Sequence, residues 1–234
     1  MNLFLVVGFG IVLSCTQALG SDPLVFVLNK QTELTEATRA LLRNLYFARI
    51  TTANNTLMVL HVTQLDKLNT FTRNLNNAVE QVQRAVTLAT NTRKNTTSCL
   101  DTMKHSTDKI KKSELLGNKK CVKNALKLLK THLDALDSKI TLVNTHFAVL
   151  DRALYMCYST KTEEMGDCAM LKLLRKENAL RNLKKDIDLV IESASLAANN
   201  ASREGRDCLA RRLTSDLSQI ANVTYVALDC TRSG

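Results

Sequence analysis

The sequence has little that would interrupt a helix. Its 234 residues include one proline, Pro23, and seven glycines, and only Gly117, Gly166, Gly205 and Gly234 lie beyond residue 20. Because proline and glycine are the strongest breakers of regular structure, their scarcity predicts long helices. The only strand-like run is the short stretch 24–28. The chain has no tryptophan, and aromatic residues make up 4% of it, which argues against sugar recognition by ring stacking.

Local motifs for catalysis are also missing. The sequence has no G-x-S-x-G, no H-E-x-x-H, no Walker loop and no calcium-loop pattern. Two of its four histidines, His132 and His146, would lie about 21 Å apart along one helix, too far to share a metal ion. His61 falls among apolar residues and is interpreted as a core or helix-end histidine. The adjacent acids Glu163 and Glu164 are typical of a solvated loop. We therefore expect no enzyme, no catalytic residue, no cofactor and no metal.

The first twenty residues have the layout of a secretory signal peptide. An apolar run of eleven, 3–13, is followed by a polar stretch and by small residues at Ala18 and Gly20, so cleavage is predicted after Gly20. The run is too short to span a bilayer as a helix. The alternatives are a buried N-terminal helix, a short anchor or a bacterial lipoprotein signal at Cys15. We expect a signal peptide at 1–20, a single helical domain at 21–234, and secretion.

Six cysteines remain after the leader. They are Cys99, Cys121, Cys157, Cys168, Cys208 and Cys230. An even number in a secreted chain predicts three disulfides, for which fifteen connectivities exist. The spacings match no zinc motif; structural free thiols are the alternative.

Four N-x-S/T sequons also favour secretion. The acceptor residues are Asn54, Asn95, Asn200 and Asn222. Together with a leader they predict a glycoprotein with sugar at some of these positions.

Apolar periodicity predicts an all-α fold. The clearest row begins after Gly117-Asn118, interpreted as a helix end and an N-cap, and continues at spacings of four and three: Val122, Leu126, Leu129, Leu133, Leu136, Ile140, Val143, Phe147, Leu150, Leu154, Cys157. This heptad pattern predicts a helix over 118–158, about 60 Å long. Further rows run from Met58 through His61, Leu65, Leu68, Thr72 and Leu75 to Ala89, from Ala169 to Ala197 and from Leu209 to Ala227, after an amphipathic segment at 32–53.

Turns are predicted between these rows, at 91–98, 160–167 and 202–207. Short connections imply antiparallel neighbours. The predicted architecture is an elongated up-and-down bundle of five or six long amphipathic helices, stapled by disulfides. Coiled coils between copies of the chain are the alternative to packing within one chain.

The predicted layout constrains the cysteines. Cys157 and Cys168 flank one turn. Cys121 and Cys208 would each begin a helix at the same end of the bundle, which leaves Cys99 for Cys230. Cys208 and Cys230 cannot pair on one straight helix, because 22 residues rise about 33 Å.

The chain carries a net charge of +10, and much of it is concentrated in one segment. The lysines of 104–130 are Lys104, Lys109, Lys111, Lys112, Lys119, Lys120, Lys123, Lys127 and Lys130. Only Asp108 and Glu114 oppose them. This segment is the candidate basic patch for an anionic surface, such as a glycan, acidic lipid headgroups or a microbial surface, or for a partner protein. A solvated face that keeps the protein soluble is the alternative. Nucleic acid is not expected, because no aromatics are interleaved with the lysines.

Serial amphipathic helices are also typical of lipid carriers. A hydrophobic small molecule or lipid held in the bundle core is therefore the alternative function, although three disulfides would resist the opening that exchangeable carriers use.

The chain resembles the secreted helical proteins of flies and mosquitoes grouped as the tsetse EP-domain family. The resemblance rests on the leader, on Ser98-Cys99-Leu100-Asp101, on Asp167-Cys168 and Asp207-Cys208, and on the late Cys230, and it covers most of residues 30–230. The Glu-Pro repeats of the family are missing. The resemblance implies a non-enzymatic extracellular insect protein of gut or defence fluids, and it supplies no binding residues.

Overall fold

The computed structural model describes residues 23–91 and 96–233. Three long α-helices make up nearly all of this part of the chain: α1 Pro23–Asn91, α2 Thr97–Asp151 and α3 Thr162–Ser233, with a single 3₁₀ turn at Tyr155–Cys157. At 1.5 Å per residue the helices are about 100, 80 and 110 Å long. No strand occurs in these ranges, and the run 24–28 is helical. The predicted signal peptide at 1–20 lies outside the described residues.

The all-α prediction is confirmed, but the number of helices is three and not five or six. Helix α2 passes through Gly117 and Asn118 without a break, and α3 passes through 202–207. The segment 32–53 and the row after Met58 belong to the single helix α1. Helix α1 ends at Asn91 and α2 begins at Thr97, which agrees with the predicted turn at 91–98. Helix α2 ends at Asp151 and α3 begins at Thr162, so the second break lies earlier than the predicted turn at 160–167, and the helix predicted over 118–158 ends seven residues too late.

The two false breaks have physical explanations. Asn118 is 1% exposed and lies in the core of the bundle, where its amide nitrogen donates to Glu114 Oε1 at 2.8 Å. Gly205 of α3 lies against Leu60 of α1, so closely that a Cβ atom built there would overlap with Leu60 Cδ2. Both residue types mark turns in many proteins, but here each occupies a packing position.

The core positions follow an 11-residue pattern over much of the bundle. In α2 the buried residues recur at spacings of four, four and three: Cys99, Met103, Thr107, Ile110, Glu114, Asn118, Cys121, Ala125, Leu129. This spacing averages 3.67 residues per turn, which is closer to a straight helix than the 3.5 of a heptad. In α1 the same pattern buries Thr56, Leu60 and Phe71. The first part of the heptad row predicted for this helix is therefore wrong, because Met58, His61 and Leu65 are exposed. Later in the same row, Leu75 and Val82 are buried as predicted.

The three helices are held in one register along their length. Cys99 pairs with Cys230 and Cys121 with Cys208, so α2 and α3 run antiparallel. Helices α1 and α3 run parallel. Near the start of α1, Lys30 forms an ion pair with Glu177 at 3.2 Å, and thirty residues later Leu60 lies against Gly205, so both helices advance in the same direction. The result is an up-down-up bundle, in which leucines such as Leu45, Leu136 and Leu173 are 0% exposed. Each buried leucine contributes about 1.5–3 kcal/mol.

Candidate binding surface and buried polar cluster

All nine lysines of the candidate basic patch are exposed on α2. Successive helical residues are rotated by about 100°, and the buried positions of α2 define the side that faces the bundle. By this rotation Lys104 and Lys111 lie on the flank towards α1. The other seven share the outward side and are called the lysine face: Lys109, Lys112, Lys119, Lys120, Lys123, Lys127 and Lys130.

The charge of the lysine face is not neutralised within the described part of the chain. No ion pair there joins one of its seven lysines to a carboxylate. Of the two acids in the segment, Asp108 pairs with Lys111 at 3.3 Å and Glu114 is buried on the opposite side of α2. Neighbouring like charges without partners create a positive potential that attracts anions.

A polar cluster interrupts the apolar core beneath this surface. It consists of Glu114 and Asn118 of α2 and Arg212 and Asp216 of α3, and lies between the apolar layer of Leu60, Val122 and Ala125 and the layer that contains Met103 and Ile220. Glu114 and Asp216 are 1% and 0% exposed. This cluster was missed from the sequence, although Glu114 and Asn118 occupy the same 11-residue pattern as the cysteines.

Arg212 lies close to both carboxyl groups of the cluster. Arg212 Nε lies 3.0 Å from Asp216 Oδ2 and 3.8 Å from Glu114 Oε2, while its Nη2 donates to Ser113 Oγ. Burial, followed by the hydrogen bond and charge of Asp216, raises the pKa of Glu114 to about 7, against the lowering effects of Asn118 and Arg212. The arrangement suits a carboxyl group that keeps its proton to a higher pH than usual. The two carboxyl groups are buried in the core, and Arg212 is partly exposed at its edge.

The histidines do not come together. His132 Nδ1 lies 3.2 Å from Ser193 Oγ. Burial and the charge of Lys176 lower the pKa of His146. His61 is exposed, so its interpretation as a core or helix-end residue is wrong: it lies mid-helix, on the outward side. Within 23–91 and 96–233 no group of three His, Cys, Asp or Glu is placed to hold a metal ion.

The acids Glu163 and Glu164 lie exposed in the first turn of α3 and not in a loop. Glu164 accepts from Lys161 Nζ at 2.7 Å and from Ser159 Oγ at 3.2 Å. Carboxylates at the N-terminal end of a helix interact favourably with the helix dipole, so a structural role explains why two acids lie at this position.

The structure contains the three disulfides that the layout gave. The Cα–Cα distances are 5.8 Å for Cys99–Cys230, 5.6 Å for Cys121–Cys208 and 5.7 Å for Cys157–Cys168. The reason given for the second pair was wrong, because Cys121 and Cys208 lie in the middle of helices. They meet because 22 residues, two 11-residue repeats, separate the cysteines within each helix.

Three sequon asparagines, Asn54, Asn200 and Asn222, are exposed on helix surfaces, so each is open to a glycan. The hydroxyl residues of two sequons, Thr56 and Thr224, are buried and donate to carbonyl oxygens one turn earlier. Asn95 lies outside the described residues.

Several grooves on residues 23–91 and 96–233 are open at the surface. One is lined by Glu80, Gln83, Arg84, Thr87 and Leu88 of α1 alone. Another lies between α1 and α3 and is lined by Asn199, Asn200, Ser202 and Arg203 with Val59 and Arg206. Most of the residues that line these two grooves are polar or charged, whereas small-molecule sites are lined mostly by apolar residues.

None of the described helices is long and apolar enough to cross a membrane.

Comparisons of the chain with protein-family models, with curated proteins and with solved structures find no match.

Proposed function

We propose that the protein is a secreted, non-enzymatic helical binding protein that engages an anionic surface through the lysine face of α2. The single observation that carries the proposal is the row of seven exposed lysines, none of which pairs with a carboxylate of residues 23–91 or 96–233. Three disulfides within one chain support an oxidising, extracellular location. The motifs shared with the tsetse EP-domain proteins support an insect gut or defence fluid.

The rigid bundle supports a binding role in a second way. The lysine face extends from Lys109 to Lys130, about 32 Å along α2, on a helix clamped to α3 by Cys121–Cys208. Because the backbone beneath the lysines is held in place, little backbone order is lost when an extended anionic partner binds.

The test uses heparin as a defined polyanion and measures its affinity at several salt concentrations. The variant Lys119→Glu, Lys123→Glu, Lys127→Glu reverses three charges on the lysine face. A matched control, Arg175→Glu, Lys184→Glu, Lys185→Glu, reverses three exposed charges of α3 and changes the net charge by the same amount.

We expect the first variant to bind heparin at least about tenfold more weakly, a difference of about 1.4 kcal/mol, and the control to stay close to the unmodified protein. Affinity should also fall with added salt. Equal losses in the two variants would show that only net charge matters, and an unchanged affinity in the first would remove the lysine face from the binding site.

A further inference from the structure

Helix α1 presents an exposed apolar surface beside the lysine face. Seven large apolar side chains are exposed within about five turns and are called the α1 stripe: Tyr46, Phe47, Ile50, Leu57, Met58, Val62 and Leu65. Phe47, Met58 and Leu65 are 73%, 60% and 59% exposed. Arg49 is the only Lys, Arg, Asp or Glu between residues 46 and 65, and its Nε pairs with Asp137 at 2.6 Å. Contiguous apolar surface of this kind marks an interaction site.

The α1 stripe and the lysine face adjoin one another. A groove between α1 and α2 is lined by His61 and Gln64 on one side and by Lys119 and Lys123 on the other. The antiparallel register, given by Arg49 with Asp137, places the lysines of 119–130 alongside the second half of the stripe. One continuous surface therefore has an apolar half and a basic half.

The chemistry of this surface selects among partners. A second copy of the chain is disfavoured, because each copy carries a charge of +10 and the lysines flank the apolar contact. A soluble polyanion would bind the lysines but would leave the apolar side chains of the α1 stripe exposed to water. An anionic lipid bilayer matches both halves, since its headgroups attract lysines while its acyl boundary takes up apolar side chains.

We propose that the α1 stripe and the lysine face dock together on an anionic lipid bilayer, with the stripe's side chains at the boundary between headgroups and acyl chains. This inference rests on the proposed function and names its partner. The bundle lies on the membrane with its helices intact, because the stripe faces away from the core.

Asn54 lies inside the stripe and is the acceptor of a sequon. A glycan at this position would cover the apolar half of the surface. Vesicle binding is therefore measured both on the protein secreted from insect cells and on Asn54→Gln.

The experiment is co-sedimentation with vesicles of phosphatidylcholine alone and of phosphatidylcholine with one quarter phosphatidylglycerol. The stripe variant is Phe47→Ser, Met58→Ser, Leu65→Ser. Its matched control is Leu171→Ser, Leu189→Ser, Leu196→Ser, which replaces three exposed leucines of α3. Heparin affinity is measured on all variants in parallel.

We expect Asn54→Gln to bind the anionic vesicles about tenfold or more tightly than the neutral ones, and the stripe variant in that background to lose about tenfold in affinity, while its heparin affinity stays unchanged. The α3 leucine control should keep both activities. Circular dichroism spectra matching the control would show that the stripe variant is folded.

Three results would overturn the inference and leave the proposed function intact. The first is a stripe variant that binds anionic vesicles as tightly as its control. The second is heparin binding with no vesicle binding by either the secreted protein or Asn54→Gln. The third is a stripe-dependent dimer in sedimentation velocity, which would assign the stripe to a second copy. Loss of neither activity in the Lys119, Lys123, Lys127 variant would instead refute the proposed function.

Discussion

At the scale of single residues, Glu114 links the core to pH. Its pKa is raised from an ordinary value of 4.5 to about 7, so the folded protein binds this proton more tightly than the unfolded chain. The stabilising contribution of protonated Glu114 is therefore fully present below about pH 4.5 and is lost as pH rises through about 7, by up to about 3 kcal/mol.

The variant Glu114→Gln should remove this dependence. The free energy of unfolding of the unmodified protein, measured by urea denaturation, should decrease relative to that of Glu114→Gln between pH 4.5 and 8. The charged neighbours Arg212 and Asp216 remain in both proteins, and His146, whose pKa is lowered by burial, cancels in the difference. Glu163→Gln, at an exposed acid, is the control. Parallel pH profiles for Glu114→Gln and the unmodified protein would contradict the role of Glu114.

Gly205 is a second residue whose type is required by packing. An added Cβ would overlap with Leu60 Cδ2 and lie 3.1 Å from Ala125 Cβ, and Leu60 is 0% exposed. We expect Gly205→Ala to lower the free energy of unfolding by about 1–2 kcal/mol, since overpacking outweighs the better helix propensity of alanine.

A double-mutant cycle with Leu60→Ala checks the cause. The shorter side chain makes room for the new Cβ, so the double variant should be more stable than the sum of the single effects predicts. Additive effects would show that Leu60 is not the obstacle.

At the level of secondary-structure elements, the sequence correctly predicted that the elements are helices and how the cysteines pair, but it did not predict the number of helices. Cys208 and Cys230 were excluded as a pair by rise along one helix, which is independent of where helices end. Cys121 and Cys208 were paired correctly although they do not begin helices. Gly117-Asn118 and 202–207 have turn composition, and sequence alone does not show that Asn118 meets Glu114 in the core or that Gly205 faces Leu60. The heptad template also failed in α1, where the buried positions follow the 11-residue pattern.

The disulfides should differ in their effect on stability. Cys121 and Cys208 are 87 residues apart, and Cys157 and Cys168 are 11 apart. In the chain-entropy model the longer loop contributes about 4.5 kcal/mol and the shorter about 3 kcal/mol. Replacing both cysteines of each pair by serine should therefore destabilise the protein more for Cys121–Cys208, as read from urea denaturation midpoints. A larger loss for Cys157–Cys168 would contradict this order.

At the scale of the whole molecule, the bundle is a rod. A rod as long as α3, about 108 Å, has a radius of gyration of roughly 30 Å, whereas a compact globule of this chain length has one of about 17 Å. Small-angle X-ray scattering of the deglycosylated protein should give the larger value. A radius near 17 Å would show that the helices fold back on themselves, as a bundle of five or six shorter helices would.

The sequence identified only one of the two exposed surfaces to which we assign a binding role. The lysines of 104–130 were identified as a candidate patch, because their clustering is visible in one segment. The α1 stripe was not identified, because Met58 and Leu65 were assigned to the core, and only the register of α1 against α2 shows that the two surfaces adjoin.

Lysine footprinting of the protein, free and bound to heparin, would show directly whether the lysine face is the binding surface. Reductive methylation followed by mass spectrometry reports the accessibility of every lysine in one experiment. We expect heparin to protect the lysine face, from Lys109 to Lys130, and to leave Lys172, Lys184 and Lys185 of α3 unchanged. Protection of the α3 lysines, or uniform protection over the whole surface, would contradict the claim that the lysine face of α2 is the binding surface.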